Sequence, residues 1–324
     1  MPRISVIMCV YNGEKHLREA IESILNQSYA DFEFVIVNDC SKDSSAEIIE
    51  SYPDPRIKLL TNDTNLGLAA SLNVGLKAAT GDYIVRMDAD DVSLPDRLKT
   101  QVNFMDANPE IGLAGSWVRF FGDLNYYWKP KPNSDYLQCK LLFNTPLPHP
   151  SWIVRHSVIK QHNLYYSQTM RRAQDYEYLV RFSQYSKLSC IQQVVLDYRF
   201  EYVTRNPANH NEALINIFSV RKELFNKLKI EVSEEEHNLH HQLAESRFKE
   251  NLDPYKTGKW LKKLIAANKK ERVFKHRQFK TLIGEIWLQT LYYNLPESIG
   301  AKAANLSLLG TLALALLNKV KPSE

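Results

Sequence analysis

Residues 81–91, Gly81-Asp-Tyr-Ile-Val-Arg86-Met-Asp88-Ala-Asp90-Asp91, form a short apolar run that ends in three acidic residues. The run from Tyr83 to Met87 is typical of a strand that is buried on both faces, as in a parallel sheet covered by helices. Three carboxylates within one turn repel one another, so this cluster is either a well-solvated turn ahead of a helix or a cation site. Hard oxygen ligands favour Mg²⁺ or Mn²⁺.

The flanking residues alternate between strand and helix patterns. Residues 4–10 are almost continuously apolar, and apolar residues then recur at helical spacing over residues 14–27. The alternation continues to about residue 121, with strands predicted at 34–37, 57–60 and 111–121 and helices at 44–51, after Gly67 and from Pro95. This pattern favours an α/β sandwich with a largely parallel sheet.

Polar residues follow each of the first four predicted strands: Tyr11 and Asn12, then Asp39, then Asn65, then the acidic cluster at 88–91. Any one of them is compatible with ordinary turn chemistry. Ligands of such sheets, however, bind beyond the carboxyl ends of the strands. The four sets together therefore predict a cleft along one edge of the sheet.

Beyond residue 122 the alternation loosens into a stretch rich in proline and aromatic residues. The aromatic side chains there are expected to belong mainly to the core, although they could also stack on sugar rings. A helix is predicted at 174–186 and a strand at 194–200. After Pro207 the pattern is helical, with breaks predicted at Pro254, Gly258 and Pro296. We expect one domain over residues 1–206 and a helical region over residues 207–324.

The C-terminal region is distinguished by its charge. The chain of 324 residues has a net charge of +4, yet residues 256–280 alone carry ten Lys or Arg and a single acid, Glu271. Interleaved apolar residues make this segment either an amphipathic helix on an anionic lipid surface or a solvated helical face. Residues 303–317 are uncharged but shorter than the ~20 residues of a spanning helix, which favours a core or interfacial helix. No nucleic-acid-binding motif is present, so no nucleic acid is expected as a partner.

Cysteine spacing and the N-terminus indicate the cell interior. The four cysteines lie far apart without a Cys-x-x-Cys pair, and no secretory signal precedes the first strand. We expect a cytoplasmic protein that associates peripherally with the inner face of the membrane through residues 256–280 and 303–317.

Several motifs occur together in the order and spacing of family two inverting glycosyltransferases with the GT-A fold, which this sequence resembles over residues 4–205. They are Ile4 to Glu14, Ser23 to Tyr29, Val35 to Asp43, Asn65-Leu66-Gly67 with Asn73, and residues 81–91. The resemblance implies a Rossmann-like α/β/α sandwich with a C-terminal helical extension. It divides residues 1–206 into a nucleotide-sugar half, 1–121, and an acceptor half, 122–206.

For the donor, the resemblance implies that Val10, Tyr11 and Asn12 cradle the nucleotide base and that Asp39 hydrogen-bonds uracil. Asp88 would lie near the ribose and the metal, and Asp90 would bind Mn²⁺ or Mg²⁺ across the diphosphate. Asn65 and Arg86 match cleft-lining positions, against the simpler interpretations of a turn residue and a surface charge.

For the acceptor, Asp175 matches the catalytic aspartate of the family, although Gln174 replaces the acid that usually precedes it. The simpler interpretation is that Asp175 caps a helix. Glu177 is the alternative base. His149 resembles a loop residue near the donor phosphates or the acceptor, although a lone histidine is more often structural.

The implied activity is metal-assisted transfer of a sugar, with inversion, from a nucleotide-sugar donor to a saccharide or lipid-linked acceptor. The expected pathway is assembly of bacterial surface polysaccharide or lipopolysaccharide. UDP and dTDP donors share the imide edge that Asp39 would bind, and the donor sugar and linkage stay open. The alternatives are a non-catalytic or differently specific nucleotide- or carbohydrate-binding member of the same fold, and a sugar-nucleotide nucleotidyltransferase, although no glycine- and lysine-rich phosphate loop is present.

Overall fold

The computed structural model describes residues 2–202, 207–245 and 252–294. Its strands are β1 (Ile4–Val10), β2 (Phe32–Asn38), β3 (Ile57–Thr61), β4 (Tyr83–Asp88), β5 (Val92–Ser93), β6 (Ile111–Gly122), β7 (Tyr126–Trp128), β8 (Ile153–Arg155) and β9 (Lys187–Phe200). Its helices are α1 (Leu17–Leu25), α2 (Ser45–Glu50), α3 (Leu68–Ala78), α4 (Arg97–Ala107), α5 (Ser134–Lys140), α6 (His156–His162), α7 (Gln174–Phe182), α8 (Pro207–Lys227), α9 (Glu234–Ala244), α10 (Pro254–Glu271) and α11 (His276–Asn294).

The described residues form two compact units. The first lies within Met1–Ser134 and Thr145–Ile217, and the second within Asp135–Asn144 and Phe218–Glu324. The first unit contains the sheet. The second consists of helices together with the short segment at 135–144.

The sheet of the first unit has the strand order β3-β2-β1-β4-β8-β6-β9-β5, with β7 paired to β6. The first four strands in this order are mutually parallel, as predicted. Three of the remaining strand pairs are antiparallel: β4 with β8, β8 with β6, and β9 with β5. Strands β6 and β9 are parallel to each other. The α/β prediction is therefore confirmed, with parallel pairing concentrated in the N-terminal half.

Strand register places the carboxyl ends of three strands at one edge. Val10 is opposite Asn38 on β2, and Cys9 is opposite Asp88 on β4. Helix α1 covers this part of the sheet with Leu17, Ile21 and Ile24, which are fully buried at helical spacing. The loops after β1, β2 and β4 are consequently held beside one another on a rigid base.

Buried polar contacts tie segment 135–144 to the helices of the second unit. Arg221 of α8 donates from Nε to the carbonyl of Phe143 at 2.8 Å. His240 of α9 contacts the Leu142 carbonyl through Nε2 at 2.9 Å and accepts from the Trp260 indole at Nδ1. Burial holds the pKa of His240 well below its ordinary value, so this imidazole is neutral.

The structure of helix α10 differs from two expectations about the basic segment. The segment's large apolar side chains Trp260, Leu261, Leu264, Phe274 and Phe279 are buried, so they are not available to contact lipid. Gly258 lies inside α10 and does not interrupt it; the helix begins at Pro254, with Asp253 as its N-cap. Pro296 and residues 303–317 lie outside the described residues. Within the described residues, no helix is long and apolar enough to cross a membrane.

Candidate active site

The three acids after β4 converge. One carboxylate oxygen each from Asp88, Asp90 and Asp91 lies within 4.8 Å of the others. Asp90 is exposed, Asp88 is half-buried and Asp91 is completely buried. This arrangement is incompatible with a fully solvated acidic turn, because the third carboxylate is enclosed by protein.

The ionised form of Asp91 is destabilised by this arrangement. One of its oxygens accepts the backbone N–H of Arg199 at 2.8 Å, and the other has no hydrogen-bond partner among the described residues. Burial, followed by the charges of Asp88 and Asp90, raises the pKa of Asp91 well above its ordinary value. A divalent cation would offset this repulsion, and three carboxylates fit the oxygen preference of Mg²⁺ or Mn²⁺.

Arg86 is not a surface charge. Its side chain is almost completely buried in β4, and its guanidinium forms an ion pair with Asp88. The backbone carbonyl of Arg86 accepts a hydrogen bond from buried Arg97 at 2.6 Å, and the same Arg97 nitrogen donates to the Pro150 carbonyl at 2.6 Å. Arg97 therefore fixes the end of β4 against the turn that carries His149.

Asp39 organises the neighbouring loop. Its carboxylate accepts the backbone N–H groups of Leu66 and Gly67, each at 2.8 Å, and the side-chain amide of Asn62 at 2.8 Å. Asn65 approaches the Asp39 carbonyl at 3.4 Å. Oδ2 accepts only the Gly67 N–H among the described residues, so it retains acceptor capacity.

The loop after β1 is held in an unusual backbone conformation. Asn12 has φ 51°, in the left-handed region that asparagine tolerates, and its side-chain oxygen accepts the Lys42 N–H at 2.8 Å. Tyr11 is half-exposed, whereas the Val10 side chain is in the core. Val10 can therefore face a ligand only through its backbone.

Asp175 joins Arg86 and Asp88 in the wall of a cavity of about 460 Å³. It is the second residue of α7 and not the N-cap, which is Ala173 with φ 57°, so the helix-cap interpretation is wrong. Burial raises the pKa of Asp175 above its ordinary value, and the charge of Asp88 adds to this effect. The Tyr176 N–H and the charge of Arg86 act in the opposite direction.

The two weaker candidates differ in position. Glu177 is not part of the cavity wall and forms two hydrogen bonds, at 2.7 and 2.9 Å, to Arg181 one turn along α7. His149 does line the cavity, with Nε2 2.8 Å from the Tyr166 hydroxyl. Burial and the charge of Arg86 keep the pKa of His149 well below its ordinary value, so the ring is neutral.

Three further residues line this cavity, although no sequence pattern assigned them to the site: Trp128, Arg172 and Tyr198. Trp128 lies on the short strand β7, and Tyr198 lies on β9. Burial and the charges of Asp88 and Asp91 raise the pKa of Tyr198, so its hydroxyl stays protonated. The aromatic character of Trp128 and Tyr198 was visible in the sequence, but their placement depends on the pairing of distant strands.

The fold is that of the GT-A class of glycosyltransferases. The family model for Glycosyl transferase family 2 matches residues 5–164. An uncharacterized glycosyltransferase of Methanocaldococcus jannaschii is 39% identical over 207 residues, which cover 61% of this chain and 71% of that protein. The chain belongs to glycosyl transferase family 2, as its motifs indicated.

A second relative and two solved structures add detail. The UDP-Glc:alpha-D-GlcNAc-diphosphoundecaprenol beta-1,3-glucosyltransferase WfgD of Escherichia coli is 37% identical over 105 residues, which cover 32% of this chain and 42% of that protein. Staphylococcus aureus TarS 1–349 in complex with UDP aligns with a TM-score of 0.56 at 18% identity, covering 99% of this chain and 93% of that chain. The mannosyltransferase PcManGT of Pyrobaculum calidifontis, in complex with GDP-Man and Mn²⁺, aligns with a TM-score of 0.55 at 17% identity, covering 98% and 88%.

Proposed function

We propose that this chain transfers a sugar from a UDP-sugar to a hydroxyl group of a saccharide or lipid-linked acceptor, with inversion at the transferred carbon. One observation carries the proposal: Asp88 of the acidic loop, Arg86 and Asp175 line the same cavity. An acid that holds a cation against the leaving group and an acid that accepts a proton must lie on opposite sides of one sugar, and we assign these two roles to the acidic loop and to Asp175.

On the donor side, Asp90 and Asp88 would hold Mn²⁺ or Mg²⁺ against the diphosphate. The ion would stabilise the negative charge that develops on the departing nucleoside diphosphate. Val10, Tyr11 and Asn12 would enclose the base, and the free acceptor position on Asp39 would receive the imide N–H of uracil. The UDP complex of TarS and the Mn²⁺ complex of PcManGT support this assignment by analogy of fold.

On the acceptor side, Asp175 would take the proton of the attacking hydroxyl. Its raised pKa brings the carboxylate closer to the working pH, which makes it a stronger base than an ordinary exposed aspartate. The charge of Arg86 opposes this effect of burial on the pKa and so favours the ionised form of Asp175. Attack from this side on an α-linked donor would give a β-linked product.

The cavity wall supports a carbohydrate acceptor. Trp128 and Tyr198 line the same cavity as Asp175, and the C–H faces of sugar rings are apolar enough to pack on aromatic side chains. WfgD, by its full name, acts on an acceptor of this kind, a sugar on a lipid diphosphate. We therefore assign the chain to assembly of bacterial surface polysaccharide or lipopolysaccharide.

Contact with an anionic membrane would bring such an acceptor to the site. Lys269, Arg272 and Lys275 are exposed and form no ion pair within the described part of the chain. Because the apolar residues of α10 are buried, this contact would be electrostatic and without insertion. The proposed location is the cytoplasm at the inner face of the membrane.

The first test measures UDP binding by calorimetry with Mn²⁺ and with a chelator. We expect metal-dependent binding by the unmodified chain and its loss in Asp90→Ala, because Asp90 would hold the ion that binds the diphosphate. Asp82→Ala is the matched control, since Asp82 is an exposed acid away from the acidic loop. Absence of UDP binding by the unmodified chain would reject the donor assignment.

A second test separates catalysis from binding. Asp175→Asn should lower the rate of sugar transfer by ~10² to 10⁴-fold, because it removes the base, while UDP affinity is retained. Glu177→Gln should keep most of the activity. In the unmodified chain, activity should fall as pH decreases through the pKa of Asp175, at a higher pH than for an ordinary aspartate. UDP binding without any transfer would favour the non-catalytic alternative.

The aromatic wall makes a prediction about the acceptor. Trp128→Ala should raise the KM for the acceptor that the unmodified chain uses by roughly tenfold, through loss of ring stacking, without changing UDP affinity. Tyr127→Ala is the control, because Tyr127 is exposed on the same strand but does not line the cavity. Equal effects of the two substitutions would contradict a stacking role for Trp128.

The membrane proposal is tested by sedimentation with phosphatidylglycerol and phosphatidylcholine vesicles. Binding should require the anionic lipid and weaken with salt. Joint replacement of Lys269, Arg272 and Lys275 by glutamate should weaken it by at least a hundredfold, given ~1 kcal/mol for each cation at the surface. The same charge change at Lys99, Lys160 and Lys187, exposed in the first unit, should have little effect. A similar loss in both variants would reject a specific surface.

A further inference from the structure

Arg199, close to the end of β9, contacts the acidic loop in two places. Its backbone N–H donates to Asp91 Oδ1 at 2.8 Å, and its side-chain Nε donates to the backbone carbonyl of Asp90 at 2.8 Å. More than a hundred residues separate Arg199 from this loop in the sequence. The residue is absent from the cavity wall, so it does not itself face the reacting groups.

These contacts control the orientation of the two acids. The hydrogen bond to the Asp90 carbonyl fixes the peptide plane between Asp90 and Asp91. It thereby restricts the directions in which the two side chains project from the backbone. The bond to Asp91 Oδ1 is the one hydrogen bond to that carboxylate within the described residues. Without such restraints, three neighbouring carboxylates would move apart under their mutual repulsion.

Arg199 is itself held rigidly. Its guanidinium pairs with Glu19 of α1, and its Cζ lies 4.4 Å from the centre of the Phe121 ring on β6. The side chain is only 13% exposed. The planar guanidinium can contact the Asp90 carbonyl and Glu19 at the same time, which the single ammonium of lysine cannot reproduce with the same geometry.

We propose that Arg199 is a positioning residue that holds Asp90 and Asp91 in the arrangement a divalent cation requires. This inference rests on the proposed metal-assisted function. Residues that orient metal ligands from behind typically contribute 10 to 100-fold to metal affinity. Through its contacts with Glu19 and Phe121, Arg199 would make the metal affinity depend on α1 and β6. Neither of these elements contributes a carboxylate to the acidic cluster.

The test measures Mn²⁺ affinity in the presence of UDP, from the electron paramagnetic resonance signal of free Mn²⁺. Arg199→Ala should weaken Mn²⁺ binding by roughly 10 to 100-fold, and Arg199→Lys should have a smaller effect. Glu19→Gln should weaken it by only a fewfold. Thermal unfolding of each variant checks that the fold is retained, and the lysine variant provides the test should the alanine variant fail to fold.

Arg119→Ala is the matched control. Arg119 pairs with Asp197 on the same two strands, β6 and β9, but has no contact with the acidic loop. Mn²⁺ affinity should be unchanged in this variant. Equal losses in the Arg119 and Arg199 variants, or unchanged affinity in Arg199→Ala, would overturn the positioning role while leaving the proposed function intact. Absence of Mn²⁺ binding by the unmodified chain would overturn both.

Discussion

The buried ion pair between Arg86 and Asp88 is the constraint on which the site depends. A guanidinium enclosed in a strand must be paired, because an unpaired buried charge would cost several kcal/mol. Asp88 meets this need and is thereby held at the strand end. The charge of Arg86 also adds to burial in lowering the pKa of His149, and it opposes the burial that raises the pKa of Asp175. One buried cation thus acts on the titration of an acid and of a base in the wall of the cavity.

The sequence was sufficient to locate the candidate site because the N-terminal sheet is parallel. In such a sheet, the residue after each strand reaches the same edge, so Asn12, Asp39 and Asp88 could be grouped without knowledge of tertiary contacts. What each side chain does there was not predictable in full. The carboxylate of Asp39 is largely occupied by Leu66 and Gly67, a contact that depends on how the loop folds back.

Site residues on the later strands of the first unit, unlike Asp175 and His149, were beyond prediction for a related reason. Trp128 and Tyr198 reach the cavity, and Arg199 reaches the acidic loop, from strands β7 and β9, whose pairing with β6 has register shifts and mixed directions. Helical periodicity has a similar limit in the basic segment. The spacing of Trp260, Leu261 and Leu264 identifies one apolar face of a helix, but it is the same whether that face meets lipid or protein.

The backbone conformation of Ala173 at the start of α7 reduces the stability of the folded protein. A residue with a Cβ at φ 57° is strained by about 1–2 kcal/mol, and here that residue sets the start of α7, two positions before Asp175. Glycine would relieve the strain, yet it would also free the backbone that aims the aspartate. Stability and precise placement therefore compete at this one position, and selection for heat resistance alone would be expected to move it away from alanine.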